Sequence, residues 1–442
     1  MKHCRVLFLL LLALLPALAA CGPGHVGSDV IAFVRDGHLW TIYSDGSNAY
    51  EVVSDGPPVI GYDWSPNHQI LAYRVLDDTY AKTSAARQLF RQPLTGLVGD
   101  LPSALYTVSV DGGSTIPILF SNSSLRYSNA WWNPQGNRLL IRLTLSSGNF
   151  TRWQVAQNDQ PGGIALKALP ASFSIPSLAS TSLMAAGNSE DGLYTSALDG
   201  TNQRILVSGL LPGHPLPAAL ERILLQPAHA NPALLYALPA PALQGGLARP
   251  SAFAGVQLVM RDPAGRTTPL VNCHCTQFSW SPDGRHILYT TGATYTLLNL
   301  NGRITFSLQA ESGSVPYWSS DSRFLLLDGP HTLTLVRLAG GQSRTLLSDG
   351  KPSVTSSPPL AAAGTLLQPV TGNSWSVDSQ HFLFLTRGRL QWQGQRLADG
   401  NGIYKVTLDD QGQVQGSPAV VDTGNDSQPH WSFQDANTSF LF

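Results

Sequence analysis

Short apolar runs separated by turn-forming residues recur along the whole chain, and the clearest case is Phe278–Tyr289. There Phe278-Ser279-Trp280 precedes Ser281-Pro282-Asp283-Gly284, and Ile287-Leu288-Tyr289 follows. Proline presets φ, aspartate bonds its own backbone and glycine accepts a positive φ, so the middle four residues predict a tight turn. The flanking runs are too short for helices and read as strands.

The same order returns down the chain. Tyr62-Asp63-Trp64-Ser65-Pro66-Asn67 leads into Ile70-Leu71-Ala72-Tyr73, and Trp131-Trp132-Asn133-Pro134-Gln135-Gly136 into Leu139-Leu140-Ile141. Trp318 leads into Phe324-Leu325-Leu326, Trp375 into Phe382-Leu383-Phe384, and Trp431 into Phe440-Leu441-Phe442. Six of the ten tryptophans share this position, which makes it a repeat and not a coincidence of composition. The gap from Trp132 to Trp280 has room for two degenerate copies, at Ser177–Ala185 and at Ile223–Tyr236. Two further strand-like runs follow each copy, often around Asp-Gly or Asn-Gly, as at Asp199-Gly200 and Asn301-Gly302. Those dipeptides are strong hairpin signals.

Four antiparallel strands repeated at roughly 40–50 residues predict a propeller blade. The expected fold is therefore all-β: a single β-propeller of four-stranded antiparallel blades, eight of them, or seven if one degenerate copy is misread. Val30–Phe33, Leu39–Tyr43 and Tyr50–Val53 make a blade without a first strand, and the Trp431 segment supplies one. Pairing of the N- and C-terminal strands would close the ring and remove the exposed edge of an open sheet.

With Trp280-Ser281-Pro282-Asp283-Gly284 and Ile287-Leu288-Tyr289 intact, the repeat resembles those of the TolB family. It is also similar to the non-catalytic propellers of prolyl-oligopeptidase-like peptidases. The resemblance covers nearly all of the mature chain and implies a fold, not an activity. The chain has no G-x-S-x-G, and Phe442 falls inside the closing blade. A nucleophile elbow and a following peptidase domain are not expected.

The first residues break the pattern. Lys2, His3 and Arg5 precede an apolar run from Val6 to Leu15, and Leu18-Ala19-Ala20-Cys21 follows. This reads as a signal peptide whose end resembles the lipobox of bacterial lipoproteins. The resemblance implies lipidation at Cys21, whereas the residues alone also fit an ordinary cleavage site. The expected organisation is a signal peptide at 1–20, a lipidated tether at 21–28 and the propeller at 29–442. The chain would then be exported and lipid-anchored to the outer face of the cytoplasmic membrane or to the outer membrane, where two acyl chains give stable attachment.

Only 12% of residues are charged, and loss of Lys2 and Arg5 moves the net charge from −1 to −3. That balance argues against nucleic acid as a partner. With strands labelled A to D in each blade and Trp on A, the long insertions fall on one face. They are the B–C or D–A connections 75–104, 239–254 and 348–373, with smaller ones at 210–219 and 422–429. Asp77, Asp78, Tyr80, Arg87, Arg91, Arg249, Arg387 and Arg389 lie on or near that face and are the candidate binding rim; solvated loop charges are the plainer explanation.

Cys273-His274-Cys275 is the one metal-like cluster, without a second pair at zinc-site spacing. A structural disulfide, free thiols, and a metal or redox role all remain open for Cys273 and Cys275. His286 and His381 share a repeat position, and Asp283, Asp321 and Asp378 are turn residues, so structural roles are expected for all five. No cofactor is expected. The function read from these features is a lipid-anchored scaffold binding a protein, peptide or cell-wall glycan, with a propeller lyase or hydrolase as the alternative.

Overall fold

The computed structural model describes most of residues 29–432. It leaves out 1–28, 433–442, the stretches 90–100, 146–150, 166–176, 209–219, 240–254, 349–366 and 369–373, and breaks of up to four residues elsewhere. Across the described part, the apolar runs pair with their sequence neighbours. The Trp280 blade is a meander of Gln277–Trp280, His286–Thr291, Thr294–Asn299 and Ile304–Gln309. Its register sets Trp280 opposite Ile287 and Phe278 opposite Tyr289.

The second strands show why the sequence is apolar without alternation. In His286–Thr291 both Ile287 and Leu288 are buried, although they point to opposite faces. Both sides of the sheet are therefore covered, because neighbouring sheets pack on each face. Leu288, Leu297, Trp318 and Leu325 form one such inter-sheet core, and Phe324, Leu335, Trp375 and Phe382 form another.

Among the described residues there are six four-stranded antiparallel sheets, together with one of nine strands and one of two. Both degenerate copies carry strands, at Ser177–Leu178 with Ser182–Gly187 and at Leu224–Leu225 with Leu234–Pro239. Strand Asp426–Trp431 pairs with Val30–Arg35, placing Ile31 opposite Trp431, so segments from the two ends of the chain share a sheet.

Four features depart from the pattern read in the sequence. First, the Trp64 and Trp132 blades are fused. Strand Leu101–Ser109 overshoots its own blade, and Leu101 pairs with Tyr127 in the next. The buried Arg74 side chain bridges the same junction by donating to the Tyr127 carbonyl. Second, the 75–104 insertion is shorter than read, because strands Ile70–Leu76 and Leu101–Ser109 extend into it, and it holds helices Asp78–Ala81 and Ser84–Leu89. Third, 422–429 is not an insertion. Strands run through Thr423 and resume at Asp426, a polar stretch that burial and Arg35 hold in strand form. Fourth, the B–C connection of the Trp375 blade carries an unforeseen hairpin, Gln391–Trp392 against Gln395–Arg396.

Candidate functional site

The repeat-position polar groups come first, because they are numerous and look like chemistry. In the A–B turns the Ser281, Ser319 and Ser376 hydroxyls donate to Asp283, Asp321 and Asp378 at 2.5, 2.8 and 2.5 Å. Each hydroxyl also accepts from the backbone N–H five residues on, at 2.9, 2.9 and 3.0 Å. The fourth turn residue takes a positive φ: 66° at Gly284, 61° at Ser322 and 59° at Ser379. Serine bears that conformation less easily than glycine. It adds a bond, however, since Ser322 and Ser379 Oγ accept from the Asp283 and Asp321 N–H of the preceding blade, both at 3.0 Å. These aspartates are braces between turns.

The tryptophans serve the same end. Indole N–H groups of Trp64, Trp280 and Trp375 donate to the carbonyls of His430, Leu224 and Tyr317 on the preceding blade, at 3.3, 3.3 and 3.0 Å. Trp318 donates to Ser279 Oγ at 3.1 Å. His381 stacks 6.2 Å from Trp431, and its Nδ1 lies 3.1 Å from Thr407 Oγ1. His286 begins its strand, with its backbone N–H on Ser281 Oγ and its carbonyl accepting from the Ser281 N–H at 2.9 Å.

On the elaborated face, the structure gives local work to several of the named residues. Asp77 is buried and caps helix Asp78–Ala81, accepting from the Thr79 and Tyr80 N–H groups. Asp78 sits exposed in the first turn of that helix, where a negative charge favours the dipole. Tyr80 packs beside Ile60, Leu76 and Ala86. Arg87 is exposed and donates to the Lys82 carbonyl at 3.1 Å. Arg91, Arg249, Arg387, Arg389 and Cys21 lie outside the described residues. Cys273 and Cys275 are joined in a disulfide with Cα atoms 5.1 Å apart, in a D–A connection on the same face. Gly255 (φ 97°) makes room for that loop, because a Cβ there would meet the Cys273 carbonyl at 2.9 Å.

Sequence reasoning missed a group on strand Val59–Trp64 and on strand Asp426–Trp431. The Tyr62 hydroxyl lies between two carbonyls, 2.6 Å from that of Ala32 and 2.5 Å from that of Gln428, and its ring lies 6.2 Å from His430. Gln428 is buried with φ 53°, a left-handed conformation costly for such a residue. Burial lowers the His430 pKa to about 3, so its ring is neutral. Asp63 keeps partial solvent contact inside a dense surround, and lost hydration raises its pKa to about 8. No consensus motif marks these residues. The only signal is that polar side chains occupy strand positions flanked by core residues. Among the described residues, no three His, Cys, Asp or Glu side chains converge to hold a metal ion.

No family model matches the chain, and no curated protein matches it. Many solved structures do. A eukaryotic initiation factor aligns over 92% of this chain and 99% of its own, at 11% identity and a TM-score of 0.50. An oligogalacturonate lyase in complex with manganese covers 87% of each chain at 11% identity and 0.45. A prolyl endopeptidase covers 88% of this chain and 54% of its own at 10% identity and 0.47. The fold is β-propeller-like. Identities this low bear on the fold alone, and the propellers among these neighbours include enzymes.

Proposed function

We propose that this protein is an exported lipoprotein whose eight-bladed, closed propeller is a binding scaffold for a protein, peptide or cell-wall glycan. The observation that carries this reading is the division of labour between the faces. Repeat-position Ser, Asp and Trp groups are engaged in turn and inter-blade bonds, which makes a rigid frame, while the sequence puts its long insertions in B–C and D–A connections. Loops on a rigid frame are where binding residues concentrate. Lipid on Cys21 would hold that frame at a membrane and raise its effective concentration for partners there. The eight-blade reading draws on both degenerate copies, each of which contributes strands to a four-stranded sheet.

Two measurements test this. Radiolabelled palmitate should enter the wild-type chain in a bacterial host and not the Cys21→Ser variant, and the variant should leave the membrane fraction. Alanine clusters across 78–89 should abolish recovery of membrane partners by the intact lipoprotein. Unchanged recovery would sink the loop-face reading while leaving the anchor untouched. A second reading, a lyase or hydrolase working in the channel, draws on Asp63, Tyr62 and His430 on adjacent first strands. Turnover of a glycan that Asp63→Asn abolishes would favour it.

A further inference from the structure

A cavity of about 630 Å³ opens on the opposite side of the molecule, where the A–B and C–D turns lie. It spans three consecutive blades: His286 and Leu297 from the first, Arg323 and Arg337 from the second, Asp410 and Gln411 from the third. Residues more than a hundred positions apart meet there.

One turn of the third blade aims both arginines. Arg323 Nη1 donates to the Asp410 carbonyl at 3.1 Å, and Arg337 Nη2 to Gln411 Oε1 at 3.2 Å. The turn is itself braced by Asp409, whose carboxylate accepts from the Gln411 and Gln413 N–H groups at 2.9 and 2.8 Å. It also packs tightly, since a Cβ on Gly412 (φ 77°) would meet Phe324 Cε1 at 2.4 Å. Arg323 is held further by its ion pair with Asp321 and by the Phe324 ring, 5.4 Å away. A guanidinium fixed this way has little freedom left to lose when a ligand binds. Among the described residues, Arg337 has N–H groups beyond the one given to Gln411, and the Asp410 carboxylate in the same cavity has no partner.

We propose that this cavity binds the terminus of a short peptide, with its α-carboxylate on Arg337 and Arg323. Planar two-donor recognition of a carboxylate is what paired guanidiniums provide. Asp410 suits the ammonium of a tripeptide-sized zwitterion, and half-buried Leu338 offers apolar contact to its last side chain. An acidic sugar fits less well, because sugar rings call for an open aromatic face. Among the described lining residues, Phe324 is the one Phe, Tyr or Trp, and it is buried, stacked 6.1 Å from Trp375 and faced by Arg323. This site is separate from the loop-face reading and does not depend on lipidation.

Calorimetric titration of the intact chain in detergent with Ala-Ala-Leu, its C-terminal amide, glucuronate and inorganic phosphate tests the proposal. The free acid should bind, with the amide about tenfold weaker or worse. Arg337→Ala should weaken the free acid about tenfold without moving the thermal midpoint. Asp410→Asn should weaken Ala-Ala-Leu and leave its N-acetyl form unchanged. No binding up to millimolar peptide, equal binding of acid and amide, or glucuronate or phosphate binding as tightly as the peptide would each overturn it. Loop-face alanine clusters should have no effect here, so this proposal and the scaffold reading fail separately.

Discussion

At the scale of single residues, the same side chain holds this protein together or not according to what its neighbour leaves open. Trp375 donates its indole N–H to Tyr317, whereas the Trp431 indole is buried without a described acceptor. The position it would use by the repeat rule, the Ser374 carbonyl, already accepts from the Leu383 N–H at 2.7 Å. Trp375→Phe should therefore cost more stability than Trp431→Phe by about 1 kcal/mol, the usual net worth of a hydrogen bond. Chemical denaturation of both variants measures the difference, and equal costs would refute the pin. Asp63 gives a pH signature. Its folded pKa, about 8, lies above the unfolded carboxyl value, so folding takes up a proton between the two. Its contribution is full below the unfolded value and is lost as pH rises toward 8. Asp63→Asn should raise the thermal midpoint relative to wild type at pH 8 and do least near pH 4. A pH-independent difference would mean that the carboxyl titrates normally.

At the scale of elements, the seam between the Trp375 blade and the sheet shared by the two chain ends stands apart. The indole pin seen at four other positions is replaced there by charge. Arg35 on Val30–Arg35 reaches both Asp422 and Asp426 near the C-terminal end, with Nε 2.8 Å from Asp426, and Lys405 Nζ reaches Ser44 Oγ at 3.0 Å. Asp426 is 1% exposed, and burial raises its pKa despite the guanidinium. Removing one partner of such a group leaves a buried charge behind. Arg35→Ala should then destabilise the fold by about 3–5 kcal/mol. Thermal melts followed by circular dichroism check this, and a loss below 1 kcal/mol would show that the seam rests on packing instead.

At the scale of the whole molecule, the two functions proposed for it fall on opposite ends of the blades. The loop face is read as a partner surface held near a membrane by lipid, and the turn face holds the peptide-sized cavity. Disulfide Cys273–Cys275 closes a loop so short that chain entropy gives it roughly 1–2 kcal/mol. Cys273→Ser with Cys275→Ser should accordingly lower the melting midpoint by only a few degrees while leaving the far-ultraviolet spectrum intact. Loss of folding in that variant would mean that the D–A connection does more than link two blades.

Strand positions, turn chemistry and the four-strand unit were legible in the sequence because they depend on neighbours close in the chain. Serine, aspartate and a positive-φ residue at fixed offsets make the same turn wherever they occur, and doubly covered strands must be apolar on both sides. The structural roles of Asp283, Asp321 and Asp378 followed from the same locality. Other features were decided only by contacts between distant segments. Residues 422–429 read as a polar loop because nothing nearby announces that Arg35 waits across the seam. The fusion of two blades through Leu101 and Tyr127 has no local mark either. The cap that Asp77 places on Asp78–Ala81 has no mark in the sequence apart from the residue itself. Arg323, Arg337 and Gln411 are ordinary surface residues in the sequence, and only the packing of three blades side by side makes their turns into one cavity.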